Sequence, residues 1–126
     1  MEYNIVGWFE IPVLDMGRAK KFYETVFDVN LHQEDFDGVL MAWFPFAEGK
    51  PGAPGSLILH KDSYQPDAHK GVLLYFSSQN VSNELGKIEE AGGTILQGKT
   101  LISEEIGYMA TFLDSEGNRI ALHSRA

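Results

Sequence analysis

The sequence predicts an α+β fold: two βαβββ modules forming a cleft-shaped, partly closed mixed β-sheet with helices on its outer face. Three observations carry that expectation. A strand-like segment, an amphipathic helix and three short extended segments follow one another over 5–60. The same order returns over 72–123, although the two halves share almost no letters. Between them, KDSYQPDAHKG at 61–71 is polar and turn-rich and reads as a connection. One domain is expected over 1–126, with module one about 4–60 and module two about 72–123.

Module one opens on IVGWFEIPV at 5–13, β-branched and aromatic without a helical period. Asp15 follows where an N-cap should stand, its carboxylate able to accept from free N–H groups of the first turn. Ala19, Phe22, Tyr23, Val26 and Phe27 then form one stripe of a helix, which Asp28 ends. Two extended segments at about 29–36 and 39–46 flank Asp37-Gly38, a hairpin turn signal. AEGKPGAPG at 47–55 is loop, and SLILH at 56–60 is a fourth strand.

Module two repeats the plan. VLLYFS at 72–77 is a strand, and Asn80 caps a helix with the stripe Val81, Leu85, Ile88 and Ala91. Gly92-Gly93 closes it, since a residue without Cβ takes the left-handed conformation freely. TILQGK at 94–99, MATFL at 109–113 and RIALH at 119–123 are the remaining strands, the last two joined by DSEGN at 114–118. TLISEEIGY at 100–108 is longer than a hairpin needs and is expected to be a functional loop.

Alternation with period two assigns the faces. In the first strand Phe9, Ile11 and Val13 should pack under the helices, leaving Trp8, Glu10 and Pro12 opposite. In the fourth, Leu57 and Leu59 point to the core, and Ser56, Ile58 and His60 away. In the fifth, Leu73 and Tyr75 are expected in the core, with Val72, Leu74 and Phe76 on the other face. In the eighth, Ile120 and Leu122 oppose Ala121 and His123. The face away from the helices is too apolar for plain surface yet carries Glu10, His60 and His123, which suits a cleft.

Composition removes several function classes. The chain is 44% hydrophobic with 22% charged residues, so it is not a disordered sequence. Ten Lys+Arg against 18 Asp+Glu leave a net charge of −8, which argues against nucleic acid and membrane partners. The one basic cluster, RAKK at 18–21, reads as a solvated helix face. No apolar run reaches transmembrane length, and MEYNIVGWFEI lacks the pattern of a signal peptide. With no cysteine there is no thiol nucleophile and no thiolate metal site, and a cytoplasmic location is expected. No nucleophile elbow or phosphate-binding glycine run is present.

WFEIPVLDMGRAKKFYETVF resembles the first strand and helix of the vicinal-oxygen-chelate superfamily of glyoxalases, bleomycin-resistance proteins and ring-cleaving dioxygenases. VSNELGKIEEAGGTIL is similar to its second helix and next strand, and GYMATFLDSEGNRIALH to its last hairpin with the Asp-x-x-Gly-Asn turn. The resemblance implies the doubled fold over the whole chain, and a homodimer. Members with metal chemistry hold a divalent ion with one His, Glu or Gln from each of the first, fourth, fifth and eighth strands. By position these fall on Trp8, Ile58, Val72 and Ala121, none of which offers a ligand lone pair. No cofactor is therefore expected. The alternative is a displaced site for a divalent metal ion two residues further on, using Glu10, His60 and His123 beside Leu74.

The favoured expectation is a metal-independent module that binds a small, partly apolar organic ligand in an aromatic-lined cleft. Trp8 would form the floor and Trp43, Phe76 and Tyr108 the walls, unless these rings simply pack together. Leu74 and Ala121 complete the lining, and His60 sits at the rim. Glu10 and His123 are the candidate proton-transfer groups of the alternative reading, a lyase, isomerase or dioxygenase-like enzyme. A third reading is an interaction module whose cleft is filled by its own side chains or a partner. Tyr3, Tyr64 and His69 are assigned no role.

Overall fold

Local chemistry places both helices where expected. The computed structural model describes residues 2–126. After the first strand, β1 (Phe9–Pro12), Asp15 adopts an extended conformation and accepts from the Arg18 N–H at 3.0 Å, starting α1 (Met16–Phe27). Asp28 takes a left-handed conformation and ends it. The strands β2 (His32–Phe36) and β3 (Val39–Trp43) meet at Asp37 and Gly38, both with positive φ, as a two-residue hairpin turn requires. β4 (Gly55–Leu59) completes module one.

In module two, β5 (Leu74–Ser77) leads to α2 (Val81–Ile88), whose first-turn Ser82 N–H donates to Asn80. β6 (Thr94–Ser103), β7 (Gly107–Leu113) and β8 (Arg119–Ser124) follow. The expected functional loop at 100–108 is instead mostly strand. Aliphatic and β-branched residues carry β6 on to Ser103, and only residues 104–106 turn back. Gly107, with φ of 106°, resumes pairing so close to the Ser124 carbonyl that a Cβ would clash with it.

Each module makes one four-stranded mixed sheet, β1-β4-β3-β2 and β5-β8-β7-β6, so the strand order repeats between halves. The first and last strands of each module run parallel, and the other pairs are antiparallel. The two sheets are not hydrogen-bonded to each other, and the Phe9 ring of β1 meets the Phe76 ring of β5 edge to face at 5.8 Å.

One core runs through both halves. Ala19, Phe22, Tyr23 and Val26 of α1 are buried, and Phe22 packs against Phe112 of β7. Phe27 lies 4.6 Å from Phe76 of β5, so the first helix packs on strands of the second module. Burying a side chain of this size contributes on the order of 1.5–3 kcal/mol, and the shared cluster couples the modules. On β5 the expected faces are reversed. Leu74 and Phe76 pack on the core, while Tyr75 is half exposed on the face away from the helices.

Candidate functional site

The side chains of β1 alternate, with Ile11 in the core and Trp8 and Glu10 exposed on the inner face, away from the helices. Register extends that face across module one. Ser56 pairs with both Glu10 and Trp43, and His32 pairs with Trp43 on the other side. Trp8 meets Trp43 edge-on at 5.8 Å, and Trp43 stacks on Phe36 at 5.8 Å with 14° between planes. These three rings remain 42%, 38% and 47% exposed, an aromatic surface left open to solvent.

Glu10 stands beside this array and accepts a hydrogen bond from the Tyr64 hydroxyl at 2.5 Å. That bond, with some burial, raises the pKa of Tyr64 above its ordinary value. Tyr64 was given no role from sequence, because nothing within its turn-rich segment signals a partner 54 residues away. The same connecting segment walls a cavity of about 640 Å³, which includes Trp8, Glu10, Pro12, His69, Leu73 and Arg119 in its lining. His69 too had no assigned role. Asp67 shapes this wall by accepting from the backbone N–H groups of His69 and Lys70, which hold its pKa down. Charges of both signs thus surround an otherwise apolar space.

The other expected site residues are distributed differently. Leu74 lines this cavity and a second one, and Phe76 lines only the second, both from the core side rather than the inner face. Tyr108 is also on the helix side: it pairs with Ser124, packs on the core and carries Lys99 4.4 Å above its ring. Ala121 is fully buried, level with Tyr75 of β5. His60 and His123 line neither cavity. The Nδ1 of His60 and the Oγ of Ser56 are buried with no hydrogen-bond partner among the described residues. His123 donates from Nε2 to the Ile106 carbonyl at 2.7 Å, which ties its ring to the turn between β6 and β7.

The displaced metal set does not assemble. Glu10 is level with Ser56, whereas His60 lies four residues further along β4, about 13 Å away at ~3.3 Å per residue. His123 belongs to the other sheet, and among the described residues no three His, Asp or Glu side chains are grouped to hold a metal. The usual positions fit an ion no better. Val72 precedes β5 and is 97% exposed, and Trp8, Ile58 and Ala121 have no ligand atoms.

The turn at 114–118 is built for structure. Glu116 accepts from the N–H groups of Leu14 and Asp15 at 2.8 and 2.9 Å and from Arg18 at 2.7 Å. Burial alone would raise its pKa, but Arg18 and the two N–H groups hold it down at about 2. Asn118 donates to the Pro12 carbonyl at 2.8 Å and accepts from the Asp67 N–H, joining the turn to β1 and to the cavity wall.

The sequence matches the model of the Glyoxalase/Bleomycin resistance protein/Dioxygenase superfamily over residues 5–122. No curated protein matches it. Among solved structures, a glyoxylase/bleomycin resistance protein/dioxygenase domain from Frankia sp. EAN1pec aligns with a TM-score of 0.73 at 16% identity, covering 98% of each chain. TnmS3, an antibiotic binding protein from Streptomyces sp. CB03234, aligns with a TM-score of 0.67 at 23% identity over 100% of this chain and 99% of its own. Glyoxalase I from Zea mays aligns with a TM-score of 0.66 at 18% identity over 94% of this chain and 45% of its own, so the present chain spans about half its length.

Proposed function

The chain belongs to the Glyoxalase/Bleomycin resistance protein/Dioxygenase superfamily, and from that premise we propose that it binds a small, partly apolar organic molecule without a metal ion. The observation that carries this reading is the exposed Trp8–Trp43–Phe36 array at the edge of the cavity of about 640 Å³. Flat rings favour a flat, partly aromatic ligand, because aromatic faces offer large contact area with few rotors. Glu10, Lys70 and Arg119 would orient its polar groups. The antibiotic binding protein of the same fold supports such a role by analogy of fold alone. The proposal includes a cytoplasmic homodimer, in which pairing would cover exposed apolar residues of β6 such as Leu96, Leu101 and Ile102.

A second reading rests on the Tyr64–Glu10 hydrogen bond. A carboxylate held by a phenol inside a ligand-sized cavity can accept a proton from a bound carbon acid, as a lyase or isomerase requires. His123 would not share that step, because it lines neither cavity.

The test is a screen of planar organic compounds by tryptophan fluorescence on the wild type, Trp8→Phe and Trp43→Phe. The binding reading expects saturable quenching that falls in both variants. If no compound perturbs the emission while size and folding are normal, it is overturned. Hits are then followed by NMR for turnover, and turnover lost in Glu10→Gln would favour the second reading.

A further inference from the structure

The module seam contains a second cavity, of about 320 Å³, distinct in chemistry from the first. Val6, Phe9 and Leu74 line both cavities and form their common wall. The second lies against the end of α1, the whole of β5 and the loop that precedes β4. Four of its phenylalanines interlock: Phe9 with Phe44 at 5.6 Å, Phe27 with Phe76 at 4.6 Å and Phe44 with Phe76 at 5.5 Å. Phe46, 45% exposed, stands on the loop side.

The polar content is sparse and one-signed. Lys50 is the one charged residue of the lining, no Asp or Glu joins it, and it forms no ion pair among the described residues. Tyr75 and Ser77 of β5 also border the cavity, although their side chains alternate with those of Leu74 and Phe76, which pack on the core. In a chain of net charge −8, an apolar pocket served by one unpaired ammonium is selective by composition. It suits a flat apolar body, and an anionic head near Lys50 would meet a cation with no carboxylate in the lining to compete.

We propose that this pocket is a second ligand site, specific for small aromatic carboxylates, with Lys50 selecting the charge and the phenylalanine cluster holding the ring. The occupant has about the size of a two-ring acid, which the cavity volume accommodates. The site is separate from the Trp8 cavity in its polar lining, with Val6, Phe9 and Leu74 as the wall between them.

The test titrates the full chain with 2-naphthoate and with its neutral isostere 2-naphthamide, by calorimetry and by amide NMR. The acid is expected to bind about tenfold more tightly than the amide, a ratio that Lys50→Gln brings close to one. Phe46→Ala should weaken both ligands by about tenfold, with no change in folding because its side chain is exposed. The amides of Gly52 and Ala53, in this lining, should shift, while those of His69 and Leu73, in the other, should not. The proposal is overturned if neither compound binds at millimolar concentration, if Lys50→Gln leaves the ratio intact, or if His69 and Leu73 shift in place of Gly52 and Ala53.

Discussion

Arg18 and Glu116, 98 residues apart, form a two-point pair, with Nε 2.7 Å from Oε2 and Nη2 3.0 Å from Oε1. The Glu116 side chain is fully buried and also accepts from the Leu14 and Asp15 N–H groups, so the last turn of module two latches the start of α1 in module one. Glu116→Ala would leave two N–H groups and a guanidinium without their acceptor. We expect a loss of about 3 kcal/mol, read as a lower midpoint of urea unfolding. Arg18→Ala should cost less, because Arg18 is half exposed and Glu116 keeps both backbone donors.

The same carboxylate predicts acid sensitivity. Its folded pKa of about 2 lies below the ordinary 4.5, so its stabilisation is complete above about 4.5 and fades as pH falls toward 2. Unfolding curves between pH 5 and 2 should therefore converge for the wild type and Glu116→Gln, as the wild type loses its advantage. Parallel curves across that window would contradict the latch.

Tyr23 is fully buried and donates to Asp114 at 2.6 Å. Burial and the neighbouring Asp114 charge push its pKa well above 10.0. The unfolded chain releases this proton first, so the contribution is present below pH 10 and declines as pH rises further. Tyr23→Phe should cost about 1 kcal/mol near neutrality yet flatten the loss of stability in base, followed by circular dichroism.

Gly55 is buried opposite Phe9, where an added Cβ would sit 2.2 Å from the ring. Gly55→Ala must displace Phe9 from the wall shared by the two cavities. A destabilisation of about 1–3 kcal/mol is expected, together with altered ligand affinity at the seam. A variant as stable as the wild type would show that Phe9 has room to move.

Metal retention is a direct check on the donor set. Protein equilibrated with zinc, nickel or manganese and then desalted should hold well under one ion per chain by elemental analysis, since Glu10, His60 and His123 do not converge. One retained ion, lost in Glu10→Ala and His123→Ala, would reinstate the displaced site.

The amino-acid sequence by itself determined the doubled strand–helix plan, both helix caps and the Asp37-Gly38 turn. Capping, helical periodicity and positive-φ turns depend on neighbours within a few residues, so they are legible in one dimension. Trp8 and Glu10 were assigned to the inner face for the same reason, because β1 alternates between Ile11 and polar or aromatic neighbours. Tertiary structure decided the rest. VLLYF is apolar at every position, so either register was consistent with sequence. The choice fell to the Phe9, Phe27 and Phe44 rings that receive Phe76. The Glu116 latch, the Tyr64–Glu10 bond and both cavities join residues from distant segments, and only the packed arrangement of the two sheets brings them together.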